Sequence, residues 1–229
     1  MWPRNSPHPP FGHPLPARGE RAGVRGKFSW YAVSIAAILL TALPGLAAAQ
    51  PAPASAPSFD CSQKLVSSVE QRICNDGKLA ALDRDLAEVF KAASAKATAA
   101  DAQSLQAAQR AFIKTRNDCW KATDVQGCVE TGYRNRIAEL QARYALVKPV
   151  GTARYKCPGP QAQEIAADFY ATDPPTAMIQ FAGTTQLMFV APSGSGARYT
   201  GGNRQFWEHQ GVAMLNWGAS TRELRCPII

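Results

Sequence analysis

The chain has 229 residues, with 25 Lys+Arg against 17 Asp+Glu, which allows one or two domains and is too long for a single small disulfide scaffold. With 46% apolar and 18% charged residues, the composition argues against wholesale disorder. The formal charge of +8 is front-loaded. Residues 50–229 keep 20 basic and 16 acidic groups, a net +4 divided as +3 before and +1 after Lys148, so no dense basic patch remains for a phosphate backbone and nucleic acid is excluded as a partner.

Residues 30–49, WYAVSIAAILLTALPGLAAA, form an apolar stretch that follows basic residues and ends in Ala47-Ala48-Ala49 before Gln50. This is the layout of a secretory signal peptide. Pro44 and Gly45 beside small residues favour cleavage over a membrane span. Residues 1–49 are therefore expected to be a signal peptide with an N-terminal extension. The product is periplasmic or secreted, with no stable membrane anchor after cleavage. All six cysteines (Cys61, Cys74, Cys119, Cys128, Cys157 and Cys226) follow this segment. An even count in an exported chain implies disulfides. One histidine, His209, remains after residue 49 and there is no close Cys-x-x-Cys pair, so neither metal nor other cofactor is expected.

Residues 50–58 read as a flexible leader. From 59 to 147 the apolar period is helical. Ser67 and Glu70 form a capping box for a short helix to about Cys74, and Asn75-Asp76 can cap a second carrying Leu79, Leu82, Leu86, Val89 and Phe90 on one stripe. A third helix is expected near 101–120 and a fourth near 125–146, with Val129, Tyr133, Ile137, Leu140 and Tyr144 aligned. If the second and third form a hairpin turning near 96–101, their ends bring Cys74 to Cys119, leaving Cys61 for Cys128. Four cysteines allow three pairings.

Lys148-Pro149-Val150-Gly151 breaks the helix and serves as a linker over 148–151. Beyond it the pattern becomes short strands between Gly, Pro, Ser, Asn and Asp: 154–157, 164–170, 176–181, 185–190, 204–209, 212–217 and 222–226. Ala182-Gly183 reads as a tight hairpin turn. This spacing predicts an antiparallel sandwich or barrel over 152–229. A Cys157–Cys226 bridge would tie its first strand to its last and close an otherwise open edge. The expected architecture is thus two domains, an all-α disulfide-linked helical bundle followed by an all-β antiparallel barrel.

SGSGARY (193–199) and FWEHQGVAML (206–215), with the framing cysteines, resemble the MliC/PliC family of inhibitors of c-type lysozyme over about residues 152–227. FDC (59–61), VEQRIC (69–74), LAALDRDL (79–86), AQRAFIKTRNDC (108–119) and GYRNRIAEL (132–140) resemble the four-cysteine LprI-type domain, which is also linked to lysozyme inhibition. The first resemblance implies that a loop enters the lysozyme cleft. Its serine, here Ser195, contacts one catalytic carboxylate, with Gly196, Ala197, Arg198 and Tyr199 completing the motif. A family lysine shortly after Trp207 contacts the other carboxylate. Its place falls on His209 when counted without gaps and on Gln210 when aligned on Gly211. Neither is a permanent cation, and Arg198 or Arg204 is a candidate to compensate.

The chemistry is coherent in itself. A retaining glycosidase holds two carboxyl groups roughly 5 Å apart, and a plug must offer hydrogen-bond donors to both, since burying them unpartnered is costly. A hydroxyl and a proton-bearing group on a loop shaped by Gly194 and Gly196 meet that need. The expected function is an exported, non-enzymatic inhibitor that binds c-type lysozyme and protects peptidoglycan. A hydrolase using Ser195 and His209 is a poor fit, because Gly194-Ser195-Gly196 is not the G-x-S-x-G elbow. An envelope module that binds cell-wall fragments or a protein partner remains the alternative.

Overall fold

The computed structural model describes residues 56–159, 163–218 and 222–229. The expected signal peptide lies outside the described residues, as does most of the leader. Among the described residues no helix is long and apolar enough to cross a membrane. Four helices come first: α1 (Ser68–Asn75), α2 (Gly77–Lys96), α3 (Ala99–Asn117) and α4 (Val125–Arg143), with a 3-10 turn at Asp118–Lys121. Eight strands follow: β1 (Gly151–Cys157), β2 (Gln163–Tyr170), β3 (Thr176–Phe181), β4 (Thr184–Ala191), β5 (Ala197–Gly201), β6 (Arg204–His209), β7 (Val212–Asn216) and β8 (Leu224–Pro227). The helical bundle and the antiparallel barrel are both present. Six of the seven expected strands lie within the observed elements to one residue at either end. The last begins two residues late.

Local chemistry sets the helix ends. The Glu70 amide donates to Ser67 Oγ at 3.1 Å, as a capping box requires, but the Glu70 carboxylate accepts from the Val66 amide at 2.8 Å, one residue further back. Asp76 caps α2 by accepting from the amides of Lys78 and Leu79. Those backbone bonds, that of Leu79 foremost, hold its carboxyl below the usual range. Asp124 caps α4 through the Gly127 amide.

The bundle is packed around Val69, Ile73, Leu79, Leu86, Leu105, Val129, Tyr133 and Leu140. Through it runs a buried polar chain. The Tyr133 hydroxyl donates to Asp83 Oδ1 at 2.8 Å and accepts from Arg116 Nη1 at 2.9 Å. Arg116 also reaches Glu70 Oε1 at 3.2 Å, and Asp83 accepts from the Ser58 amide at 2.7 Å. The end of the expected leader is therefore pinned to α2, where Arg84 also donates to the Ala56 carbonyl. One chain of donors thus joins α1, α2, α3, α4 and the segment before them, with each buried charge partnered.

The two bridges expected within the bundle are not those observed. Cys61 pairs with Cys74 and Cys119 with Cys128, in place of Cys74–Cys119 and Cys61–Cys128. The α2–α3 hairpin does turn where expected, at Ala97 and Thr98. However, Cys74 belongs to the last turn of α1, where it meets the segment from Cys61. The 3-10 turn and the Asp124 cap fold the chain after Cys119 straight back onto Cys128. Each bridge closes a short local loop, 13 and 9 residues apart in sequence, and short loops cost the least closure entropy.

The barrel is an up-and-down meander in which every strand pairs antiparallel with its sequence neighbour. Its interior holds Tyr155, Ile165, Ile179, Met188, Tyr199, Phe206 and Leu215, all at alternate positions of their strands. Tyr155 and Phe206 meet edge to face at 5.7 Å. Cys157–Cys226 joins β1 to β8, Tyr155 bridges Ile228, and the Ile229 amide donates to the Arg154 carbonyl at 3.0 Å. These contacts nearly close the cylinder and leave little free edge. The β3–β4 turn has positive φ at Ala182 (49°) and Gly183 (73°), the combination that a two-residue hairpin needs. Strand β5 is the element missing from the sequence reading.

Helix α4 lies against the outer face of β3 and β4. Ala142, Tyr170 and Leu187 form a small apolar cluster with Val147, Met178 and Phe189 around them. Arg134 pairs with Asp173 in the β2–β3 connection, and Lys96 donates to the Ala145 carbonyl.

Removing the Tyr133 hydroxyl orphans groups on two helices. Tyr133→Phe is expected to lower unfolding free energy by about 1–3 kcal/mol, read from urea denaturation at neutral pH. Burial pushes the Tyr133 phenol above its usual range, with Asp83 adding to the push against Arg116. The unfolded chain loses this proton near pH 10, so the native protein should lose stability as pH rises beyond that value. The loss should be shallower in the Phe variant.

Candidate functional site

One end of the barrel gathers the β2–β3 connection, the β4–β5 loop, the β6–β7 turn and the C-terminus. The β4–β5 loop, residues 192–196, carries Ser195 at its tip, exposed to solvent. Ser193 Oγ donates to the Ser195 carbonyl at 2.6 Å, and Trp207 Nε1 donates to the same oxygen at 2.9 Å. The backbone of the tip is thus held from both sides, while the Ser195 hydroxyl has no hydrogen-bond partner among the described residues.

Gly196 is the pivot. Its φ is +68°, and a Cβ there would lie 2.1 Å from the Glu208 carbonyl oxygen and 3.1 Å from His209 Cβ. No side chain fits that space, and the left-handed backbone favours glycine independently. The loop therefore rests directly on the end of β6. Trp207 and His209 project on the same face of that strand with ring centroids 6.2 Å apart. Ser195, Gly196, Trp207 and His209 are brought together as the motifs suggest.

Gln210 and Gly211 form the β6–β7 turn, both with positive φ (53° and 78°). The Gly211 amide donates to Glu208 Oε1 at 3.0 Å. Gln210 is exposed at the apex of the turn and His209 is half-buried at its root. Glu208 lies on the inward-facing parity with Phe206. Burial, with the Glu208 carboxylate as a second cause, raises the phenol of Tyr155.

The remaining motif residues divide. Tyr199 is 9% exposed, packs on Phe169 at 5.6 Å and has its phenol raised by burial. It supports the loop from inside the barrel. Ala197 pairs with Glu208 at the start of β5. Arg198 turns its guanidinium to Gln205 Oε1, away from the tip. Arg204 cannot replace the family lysine: it begins β6 at the opposite end of the barrel, stacked on Trp217 at 4.4 Å and bonded to Gln186. The sequence reading missed Ser193, whose spacing two residues before Ser195 is that of a local serine turn, and Glu208, whose role depends on strand parity.

Two modules thus define the class, a disulfide-stapled helical bundle and a small, nearly closed barrel that carries a pinned serine loop at its mouth. The family model described as a lysozyme inhibitor, LprI, matches residues 61–140, and that described as a membrane-bound lysozyme inhibitor of c-type lysozyme, MliC, matches residues 155–223. Curated proteins named lipoprotein LprI, from Mycobacterium tuberculosis strains H37Rv and CDC 1551 and from Mycobacterium bovis, are 34% identical over 197 residues, covering 84% of this chain and 96% of theirs. No solved structure matches significantly. The chain belongs to the LprI family of lysozyme inhibitors. Three disulfides and lipoprotein relatives support an extracytoplasmic location.

Gly196→Ala forces a Cβ against the Glu208 carbonyl. It is expected to cost about 1–3 kcal/mol of stability and to displace the tip. Amide exchange of Ser195 and Gly196, faster in the variant than in the parent, is the check.

Proposed function

We propose that the protein is an exported, non-enzymatic inhibitor of c-type lysozyme that plugs the catalytic cleft with the loop of the 193–199 motif. In this reading residues 59–147 and 152–229 are its two domains, joined by 148–151. The signal peptide is cleaved near Ala49–Gln50, and the product is periplasmic or secreted.

The observation that carries the proposal is the seating of Gly196 on the Glu208 carbonyl. It seats the loop that carries the exposed Ser195 directly on the end of β6, where His209 lies. Such a tip offers one donor to each of two paired carboxyl groups. A carboxylate that loses water on burial recovers a charge-assisted hydrogen bond when a proton-bearing group meets it. The matched inhibitor families support the target. Since c-type lysozymes are generally basic and residues 50–229 carry a net +4, long-range attraction does not drive the complex. Affinity comes from shape and local pairing.

The test is a cell-wall turbidity assay with residues 50–229 and hen egg-white lysozyme. Ser195→Ala should weaken inhibition about tenfold or more, as loss of a hydrogen bond to a charged group does, without changing the unfolding midpoint. His209→Lys should restore a permanent cation and tighten inhibition at neutral pH. Unchanged potency in both variants, or a parent protein that leaves lysis at full speed in large excess, overturns the proposal.

A further inference from the structure

We infer that the cavity where the helical half meets the barrel binds a small organic anion, an acid group carried on an apolar body, with Arg136 as its anchor. The cavity, of about 690 Å³, opens where the end of α2, the first half of α3, the second half of α4 and Met178 of β3 come together. Its volume falls in the range of small-molecule sites, which favour junctions of this kind. It shares no residue with the serine loop, so the inference stands apart from the lysozyme reading.

Arg136 forms part of the cavity wall and is only 6% exposed. A guanidinium offers N–H donors on all three of its nitrogens and accepts nothing. Here Nε donates to Gln109 Oε1 at 3.1 Å and Nη1 to Glu139 Oε2 at 2.8 Å. Nη2 is buried and has no partner. Among the described residues it is the one buried side-chain nitrogen or oxygen in that condition. Leaving a charged donor buried without an acceptor is unfavourable, and native structures rarely do so. An oxyanion against this wall supplies the acceptor once the guanidinium turns slightly towards it, and the bond is then charge-assisted on both sides.

The other charges on the wall favour the same sign of ligand. Arg143 donates from Nε to Glu139 Oε1 at 3.0 Å, so one carboxylate serves both guanidiniums. Lys96 directs one proton to the Ala145 carbonyl and keeps two. Asp101, the remaining acid, already accepts from the Thr98 hydroxyl at 2.6 Å. Lys96, Arg136 and Arg143 thus stand against Asp101 and Glu139, an excess of one positive charge with both carboxylates engaged. Such a field prefers an anion to a cation. Leu105, Ala108, Tyr144 and Met178 supply apolar surface to the same cavity. A bare inorganic ion would leave that surface uncovered, whereas an aliphatic or aromatic acid covers it and reaches the guanidinium together.

The test titrates residues 50–229 with anilinonaphthalene sulfonate, an aromatic acid whose fluorescence rises in apolar surroundings, and with N-phenylnaphthylamine, which has the same rings without the sulfonate. One sulfonate dye per chain is expected, bound about tenfold or more tightly than the neutral compound. Arg136→Gln should raise its dissociation constant about tenfold or more. Because Arg136 also holds Gln109 and Glu139, a second pair of variants keeps the outcome decisive if that chain fails to fold. Ala108 is exposed on α3. Ala108→Glu places a carboxylate at the cavity and should bind the sulfonate about tenfold more weakly than Ala108→Gln, which changes size alike but not charge. Circular dichroism should be the same in both, and Ser195→Ala should bind the dye as the parent does. No saturable binding of the sulfonate by the parent, equal affinity for the neutral compound, or equal affinity in Ala108→Glu and Ala108→Gln overturns the inference and leaves the lysozyme reading untouched.

Discussion

The helical half depends on a tyrosine hydroxyl. Tyr133 sits at the centre of the bundle with no exposed surface, and its oxygen lies between the carboxylate of Asp83 and the guanidinium of Arg116. Each charge alone would be expensive to bury. Placed on α2 and α3, with the phenol of α4 between them, they become mutual partners that hold three helices in one arrangement. Arg116 extends the arrangement to α1 through Glu70, and Asp83 extends it to the chain before α1 through Ser58. Apolar packing would tolerate helices that slide, whereas this hydrogen-bonded chain accepts one register.

That register matters for the barrel because α4 belongs to both. One face of the helix carries Val129, Tyr133 and Leu140 into the bundle core, and another presents Arg134 and Ala142 to the barrel. Fixing Tyr133 therefore fixes the angular position from which Arg134 meets Asp173. The barrel has its own constraint at Gly196, where the backbone of the loop lies against the backbone of β6. The first contact orients the two halves, and the second stiffens the tip that one of them presents.

Much of this was legible in the sequence. The helical stripes, the Asp76 cap, the 97–98 turn, six strand positions and the joining of first strand to last follow from period, turn chemistry and parity. What escaped did so for physical reasons. Strand β5 has five residues with glycines at or beside both ends, so its alternation is too short to stand out from the loop. The pairing of Cys61, Cys74, Cys119 and Cys128 turns on whether Cys74 ends one helix or begins the next, a shift of a few residues that reverses its direction. At the mouth of the barrel the motifs brought Ser195, Trp207 and His209 into one expected site. Strand parity alone, however, sends Tyr199 inward, and sequence distance conceals that Arg204 lies at the opposite end.

The order of the cysteine bridges has a consequence for biogenesis. First pairs with second, third with fourth and fifth with sixth, and no bridge crosses another. A polypeptide that meets an oxidant N-terminus first can seal each link with the next thiol to emerge, and no earlier link must be broken to admit a later one. Thiol–disulfide shuffling, the slow step for interleaved patterns, is not required by this topology. Maturation can keep pace with delivery until the final 69-residue span between Cys157 and Cys226 awaits completion of the sheet.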